Sequence, residues 1–257
     1  MTIENVKDII RKDILCFLPL IQEEYKISSD KILPIKKHTE DCISFSRGTI
    51  SFFVREGKIY YPLDAIEVFE TFPKKKSFSS TFHGVSFEDY LTTNTTYFDY
   101  IHHVIADGLT VIDYYRESTL HELLHLCGGS GGSPLEEGFN ELKTRELAQK
   151  YGIRIAAVGY QKEVEIAKEM QSIFGVDTIN KITFLPIEER REYLYCNFGM
   201  EALIFYDKVR HSMEKESKSY ASRIQTIRNP FYKAELYSKI HYPNTWNIIE
   251  NYKNNRK

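Results

Sequence analysis

The first strong pattern along the chain is helical. Val6, Ile9, Ile10, Asp13, Ile14 and Phe17 trace one mostly apolar stripe, which predicts an amphipathic helix over residues 4–18 that ends before Pro19. From Cys42 the period changes to two. Cys42-Ile43-Ser44-Phe45-Ser46, residues 49–55 and Lys58-Ile59-Tyr60-Tyr61 read as strands, with Arg47-Gly48 and Glu56-Gly57 as turns, and predict a small antiparallel sheet of hairpins. Residues 72–96, rich in Ser, Thr, Phe and Lys, have little periodicity and read as a long loop that frames a cleft. Residues 97–112 are aromatic and apolar.

The second half of the chain is almost wholly helical in pattern. A helix runs through Thr119–Cys127, and Gly128 suits a left-handed residue at its end. The next starts at Pro134, runs to Lys150 and stops at Gly152; another covers residues 160–174 and stops at Gly175. Asp177 caps a short helix, Pro186 opens one more, and a longer one spans residues 199–216. Two short helices, near 230–240 and 244–252, finish the chain. The expected fold is α+β, a single domain with an upper lobe (1–128) and a helical lower lobe (129–257). The upper lobe holds the small antiparallel sheet and ends in the Thr119–Cys127 helix, which crosses the middle.

Length and charge narrow the function classes. A chain of 257 residues and 30.2 kDa can bury a substantial core. A net charge of −2 and a pI near 6.5 argue against a nucleic-acid partner, and Lys74-Lys75-Lys76 and the basic residues of 251–257 are only local. The longest apolar stretch, residues 14–21, is interrupted by Pro19 and is far short of the ~20 residues that span a bilayer, so no membrane partner is expected. Residues 1–13 alternate charge with Ile and Val and do not resemble a secretory leader. The expected location is cytoplasmic, and export by a signal-independent route is compatible with it. Cys16, Cys42, Cys127 and Cys196 form no CxxC pair, which predicts free buried thiols and no disulfide framework.

The chemistry concentrates in His121-Glu122-Leu123-Leu124-His125. At about 100° per residue, His121, Glu122 and His125 share one arc of a helix, and Leu120, Leu123, Leu124 and Cys127 share the opposite one. Such a helix presses its leucines into a core and projects two imidazoles toward one metal ion. Glu122 is poorly placed as a ligand and well placed as a base. A shuffled chain of this composition would hold the pattern in about 2% of cases.

Two histidines leave zinc short of the three protein ligands usual in a catalytic site, so a carboxylate from a second element is needed. Ser133-Pro134-Leu135-Glu136 is a capping box with Pro at the first helical position, so a helix starts there. Glu137 is its candidate third ligand. Glu141, four residues on and on the same face, can accept the ring N–H of a ligating histidine. Gly138 fits a close pass between this helix and the leucine-bearing one. A solvated acidic face is the plainer reading of the two glutamates. His102-His103 is a weaker metal candidate, because adjacent side chains diverge.

These residues resemble the gluzincin zinc metallopeptidases, typified by thermolysin and the large zinc aminopeptidases. In that group His-Glu-x-x-His is followed by a helix of the form Asn-Glu-Ala/Gly-x-x-Asp/Glu, and Glu136-Glu137-Gly138-Phe139-Asn140-Glu141 is similar to it. The resemblance covers about 25 residues. It implies one zinc ion per chain held by His121, His125 and Glu137, with Glu141 supporting a histidine. It also implies a peptide or protein substrate, cleaved by a zinc-activated water with Glu122 as general base. Glu136 stands where the group has Asn, and the short span from His125 to Glu137 suggests a compact, minimal member. The upper-lobe sheet resembles the gluzincin strands whose edge pairs with an extended peptide. An oxyanion donor is expected from the lower lobe, with Tyr160 and then His211 as candidates.

The metzincin pattern fails at Gly131, where it needs a third His. The Gly-x-Met-x-Asn segment that aminopeptidases place upstream of the zinc helix is absent, which favours an endopeptidase. Two rival readings are a non-catalytic, zinc-stabilised protein-binding module and a metal-free helical binding module with a chance motif.

Overall fold

The opening stripe forms helix α1, which spans Ile3–Tyr25 and continues through Pro19. The carbonyl that loses its partner there belongs to Leu15, on the exposed side, while Leu18 and Ile21 are fully buried. Burial of that face outweighs one missing bond. The computed structural model describes residues 3–47, 53–63, 66, 81–82, 85–86, 110–128, 132–155, 160–225 and 241–256. Helix α2, Ser29–Lys37, is hidden in the sequence by Pro34, yet it buries Ile32 and Ile35.

Strands β1 (Ile43–Ser46), β2 (Phe53–Arg55) and β3 (Lys58–Pro62) form a sheet of order β1-β3-β2. The hairpin between β2 and β3 turns at Glu56 and Gly57, both at positive φ, which matches the right-handed strand twist. The expectation of purely antiparallel hairpins is corrected by β1, which runs parallel to β3 with Ile43 opposite Ile59 and Phe45 opposite Tyr61. β3 carries the fully buried Ile59 and Tyr61 and takes the centre, whereas β2 alternates exposed and half-buried residues at an edge. The β1-to-β3 crossover, residues 47–57, contains β2 itself. A two-residue ladder joins β4 (Thr81–Phe82) to β5 (Val85–Ser86). The Lys74–Lys76 run, His102-His103 and the 230–240 helix lie outside the described residues.

Helix α3, Val111–Gly128, begins well before the predicted Thr119. Thr110 caps it: its N–H and hydroxyl both donate to Asp113 Oδ2 at 2.8 Å. The remaining helices are α4 (Pro134–Tyr151), α5 (Gln161–Phe174), α6 (Val176–Thr183), α7 (Ile187–Gln225) and α8 (Pro243–Asn254). Gly175, not Asp177, is the N-cap of α6. α7 joins the two helices expected after Pro186 into one that breaks at Gly199, whose φ is 83°. Among the described residues no helix is long and apolar enough to cross a membrane. All four cysteines are free; Cys42 and Cys127 are buried, but Cys16 and Cys196 are exposed, on the outer faces of α1 and α7.

Two apolar clusters make the core of this α+β fold. One joins α1, α2 and the sheet to Leu120, Leu123, Leu124 and Cys127 of α3. The other gathers Leu135, Phe139 and Leu142 of α4 with residues of α5 to α8. Leu147 of α4 and Phe184 reach back into the first cluster. Helices α3 and α4 are therefore rooted mainly in different clusters, and their facing sides meet at the seam.

Two glycines serve contacts other than those expected. Gly128 is helical, not left-handed, and a Cβ there would meet the Thr183 carbonyl oxygen at 3.1 Å. Gly138 faces α5 and not the leucine-bearing helix: a Cβ would lie 2.5 Å from the Glu163 carbonyl oxygen. Gly138→Ala gains about 1 kcal/mol of helix propensity but overpacks against backbone, which cannot swing aside. The expected net loss is about 2 kcal/mol, a fall in melting temperature of roughly 4–8 °C. An unchanged melt would show that α4 and α5 do not pass this closely.

Candidate metal centre

With its leucines buried in the first cluster, α3 turns His121, Glu122 and His125 toward α4, which covers them to 7, 8 and 8% exposure. On α4, the capping box is formed as expected. Ser133 Oγ accepts from the Glu136 N–H and Glu136 Oε2 accepts from the Ser133 N–H, both at 3.3 Å. This sets the first turn, so Glu137 faces α3.

Three candidate ligand atoms then converge. His121 Nε2 and His125 Nε2 are 3.1 Å apart, and Glu137 Oε2 lies 3.2 Å from the first and 3.3 Å from the second. Ligand bonds of about 2.0–2.1 Å arranged tetrahedrally around zinc put neighbouring ligand atoms about 3.3–3.4 Å apart. The triangle therefore has the dimensions of one face of such a tetrahedron. Among the described residues, His121, His125 and Glu137 are the one group of three or more such side chains that could hold a metal ion.

The outer partners fix both rings. His121 Nδ1 lies 3.1 Å from Glu141 Oε2, the support expected from the i+4 position. Glu141 Oε1 accepts from Arg145 Nε at 2.9 Å, and Arg145 also donates to Gln161 Oε1 at 3.1 Å. With Nδ1–H directed at Glu141, Nε2 is the ring nitrogen that faces the cluster and would bind a metal once it gives up its proton. The Asn140 amide nitrogen, Nδ2, lies 2.5 Å from His125 Nδ1; a metal bound at His125 Nε2 would need the amide turned so that its oxygen accepts the Nδ1–H. Asn140 and Arg145 are not singled out by the motif. Their signal is spacing alone, three residues after Glu137 and four after Glu141.

Tyr160 comes to the same place, whereas His211 is exposed on α7. The Tyr160 ring stacks on His121, with centroids 5.6 Å apart and planes within 7°. Its backbone is left-handed, at φ 52°. The residue as a whole is 45% exposed, and its phenol is close enough to Glu137, Glu122 and Glu141 to feel their charges. Burial, and then the charges of Glu137, Glu122 and Glu141, hold the phenol well above its usual range, so it is a donor at neutral pH.

Burial raises the pKa of Glu122, the two histidines pull it back, and Glu137 adds to the rise. A raised carboxylate beside the cluster suits a general base. For His121, burial disfavours the charged ring, but the hydrogen bonds it donates to Glu137 and Glu141 outweigh it and the pKa stands well above 6.5. For Glu137, burial likewise opposes ionisation, and the hydrogen bonds to His121 and His125 win, so its carboxyl lies well below 4.5.

These shifts have opposite linkage. The raised His121 stabilises the metal-free fold fully below pH 6.5, and that contribution is lost as pH climbs through its folded value. The lowered Glu137 contributes above pH 4.5 and loses its contribution as pH falls through its folded value. Zinc takes neutral imidazole, so its uptake at about pH 7 expels a proton. Zinc affinity should rise with pH across neutrality, and calorimetric heats should scale with the ionisation enthalpy of the buffer. Heats independent of the buffer would show that His121 is already neutral.

No protein-family model matches the chain, and searches of curated proteins and of solved structures find no match either.

Proposed function

We propose that this chain is a zinc-dependent peptidase of gluzincin type, acting as an endopeptidase, with one zinc ion held by His121, His125 and Glu137. The observation that carries the reading is the triangle of ligand atoms, 3.1 to 3.3 Å on a side, with Glu122 buried beside it as a carboxylate outside the ligand set. Zinc would supply Lewis acidity, making the scissile carbonyl more electrophilic and the attacking water more acidic. Glu122 takes the proton from that water and returns it to the leaving amine. Tyr160 would donate a hydrogen bond from its hydroxyl to the oxyanion that develops on the carbonyl, keeping its proton. Glu141 and Asn140 keep the two imidazoles turned toward the cluster throughout. β1 and β2 flank the central β3, so one of them would pair with an extended peptide.

One observation favours a second reading: the cluster lies at the seam between two apolar cores, where a metal could simply brace them. A bracing site is normally closed by a fourth protein ligand. The deciding experiment is elemental analysis of the purified chain, followed by cleavage assays on a fluorogenic peptide library. Bound zinc, with cleavage that chelator stops and zinc restores, supports the peptidase. Zinc without cleavage supports the brace, and no zinc in protein never exposed to chelator removes both.

A further inference from the structure

The segment linking the two ligand helices is flanked by Gly128, the last residue of α3, and Ser133, the cap of α4. One corner of the fold bears on both flanks. This is the turn from α6 into α7, residues 183–190. On the α3 side the Thr183 carbonyl and the Phe184 ring press on Gly128, 3.1 and 3.5 Å from where a Cβ would stand. Lys31 Nζ donates to the Phe184 carbonyl at 2.7 Å and ties the same corner to α2.

On the α4 side the contact is made by Arg190, which is fully buried. Its guanidinium donates to Glu136 Oε1 and to the Tyr206 hydroxyl, both at 3.0 Å, and to the Leu185 carbonyl at 3.1 Å. Glu136 is itself 6% exposed and its other oxygen closes the capping box on the Ser133 N–H at 3.3 Å. Glu137 follows directly, its N–H bonded to the Ser133 carbonyl at 3.0 Å.

We infer that Arg190 is a positioning residue of the metal centre: through Glu136 it fixes the first turn of α4 and thereby sets the reach of Glu137 to His121 and His125. The inference rests on the proposed zinc reading. Apolar side chains of similar volume fill a buried site at least as stably as an ion pair, but a guanidinium anchored on the Tyr206 hydroxyl and the Leu185 carbonyl dictates where the Glu136 carboxylate must lie. The chain of contacts is continuous: Arg190 holds Glu136, Glu136 holds the cap, and the cap orients Glu137. The corner's grip on Gly128 fixes the other ligand helix from the same turn.

The test is zinc affinity by competition with a chromogenic chelator, beside the melting temperature of the metal-free protein. It uses wild type, Arg190→Met and the double variant Glu136→Gln/Arg190→Met. Arg190→Met should weaken zinc binding about 10–100-fold, the range seen when a support outside the ligand set is lost. The double variant leaves no unpaired buried charge, because Gln also closes a capping box, and its affinity should stay low, since no guanidinium fixes the first turn; recovery to the wild-type affinity would overturn the inference by assigning the loss to the unpaired Glu136 charge. A purely structural role would move the melting temperature and leave affinity unchanged in the folded protein. If Arg190→Met does not fold, Arg190→Lys takes its place, since one ammonium cannot hold Glu136, Tyr206 and Leu185 together, and its affinity should fall too. Folded variants that bind zinc as tightly as wild type overturn the inference and leave the zinc reading intact. Wild type that binds no zinc overturns that reading itself.

Discussion

Glu122→Gln is expected to keep its zinc and to hydrolyse peptides about 10²–10⁴-fold more slowly than wild type. The substitution preserves shape at a position that is 8% exposed, so packing between α3 and α4 should survive. It also removes a buried negative charge that Glu137 repels, and folding stability should stay level or rise slightly. What is lost is a basic oxygen. The amide cannot accept the proton of the attacking water, while His121, His125 and Glu137 are untouched. Zinc content and the initial rate on the same preparation separate the effects. A variant that still cleaves at the wild-type rate would assign the base elsewhere, and one that loses zinc would make Glu122 part of the binding site.

Glu137→Ala should abolish the response of the protein to zinc and to chelator. In wild type, free zinc at 100 times Kd adds about 2.7 kcal/mol to stability, so chelation should lower the melting temperature by roughly 5–10 °C. Removing one of three ligands should weaken binding beyond the 10–100-fold typical of an outer support, and the chelator-induced shift should vanish. The metal-free variant should also melt somewhat below metal-free wild type. Glu137 Oε2 lies within 3.3 Å of both ring nitrogens, and its loss leaves Glu141 as the acid paired with His121. That cost is about 1–3 kcal/mol, typical of a buried polar group left short of a partner. A variant with wild-type zinc content and the same chelator shift would mean that Glu137 is not a ligand.

The site was legible because its parts are local. His121, Glu122 and His125 share an arc through helical periodicity alone. Ser133-Pro134-Leu135-Glu136 announces a helix start through the chemistry of its own four residues, and Glu137 and Glu141 follow from that start by counting. The span between the two helices is short, so little else could come between them.

Elsewhere the sequence told only that a side chain faces inward, and the tertiary structure chose the neighbour. Gly138 was legible as a close approach, but the partner is α5 rather than α3. Alternation marked β3 as a strand, but its pairing with β1 in parallel follows from which strand buries most and so takes the centre. Tyr160 was a candidate only by its place after the α4 helix, and the stacking on His121 that brings it to the cluster is a contact between elements. Arg190 finds Glu136 across 54 residues of chain. Periodicity, capping and turn chemistry act over a few residues and are written in the sequence. Contacts between elements depend on how whole faces pack, which each segment shares with the rest of the chain and does not carry alone.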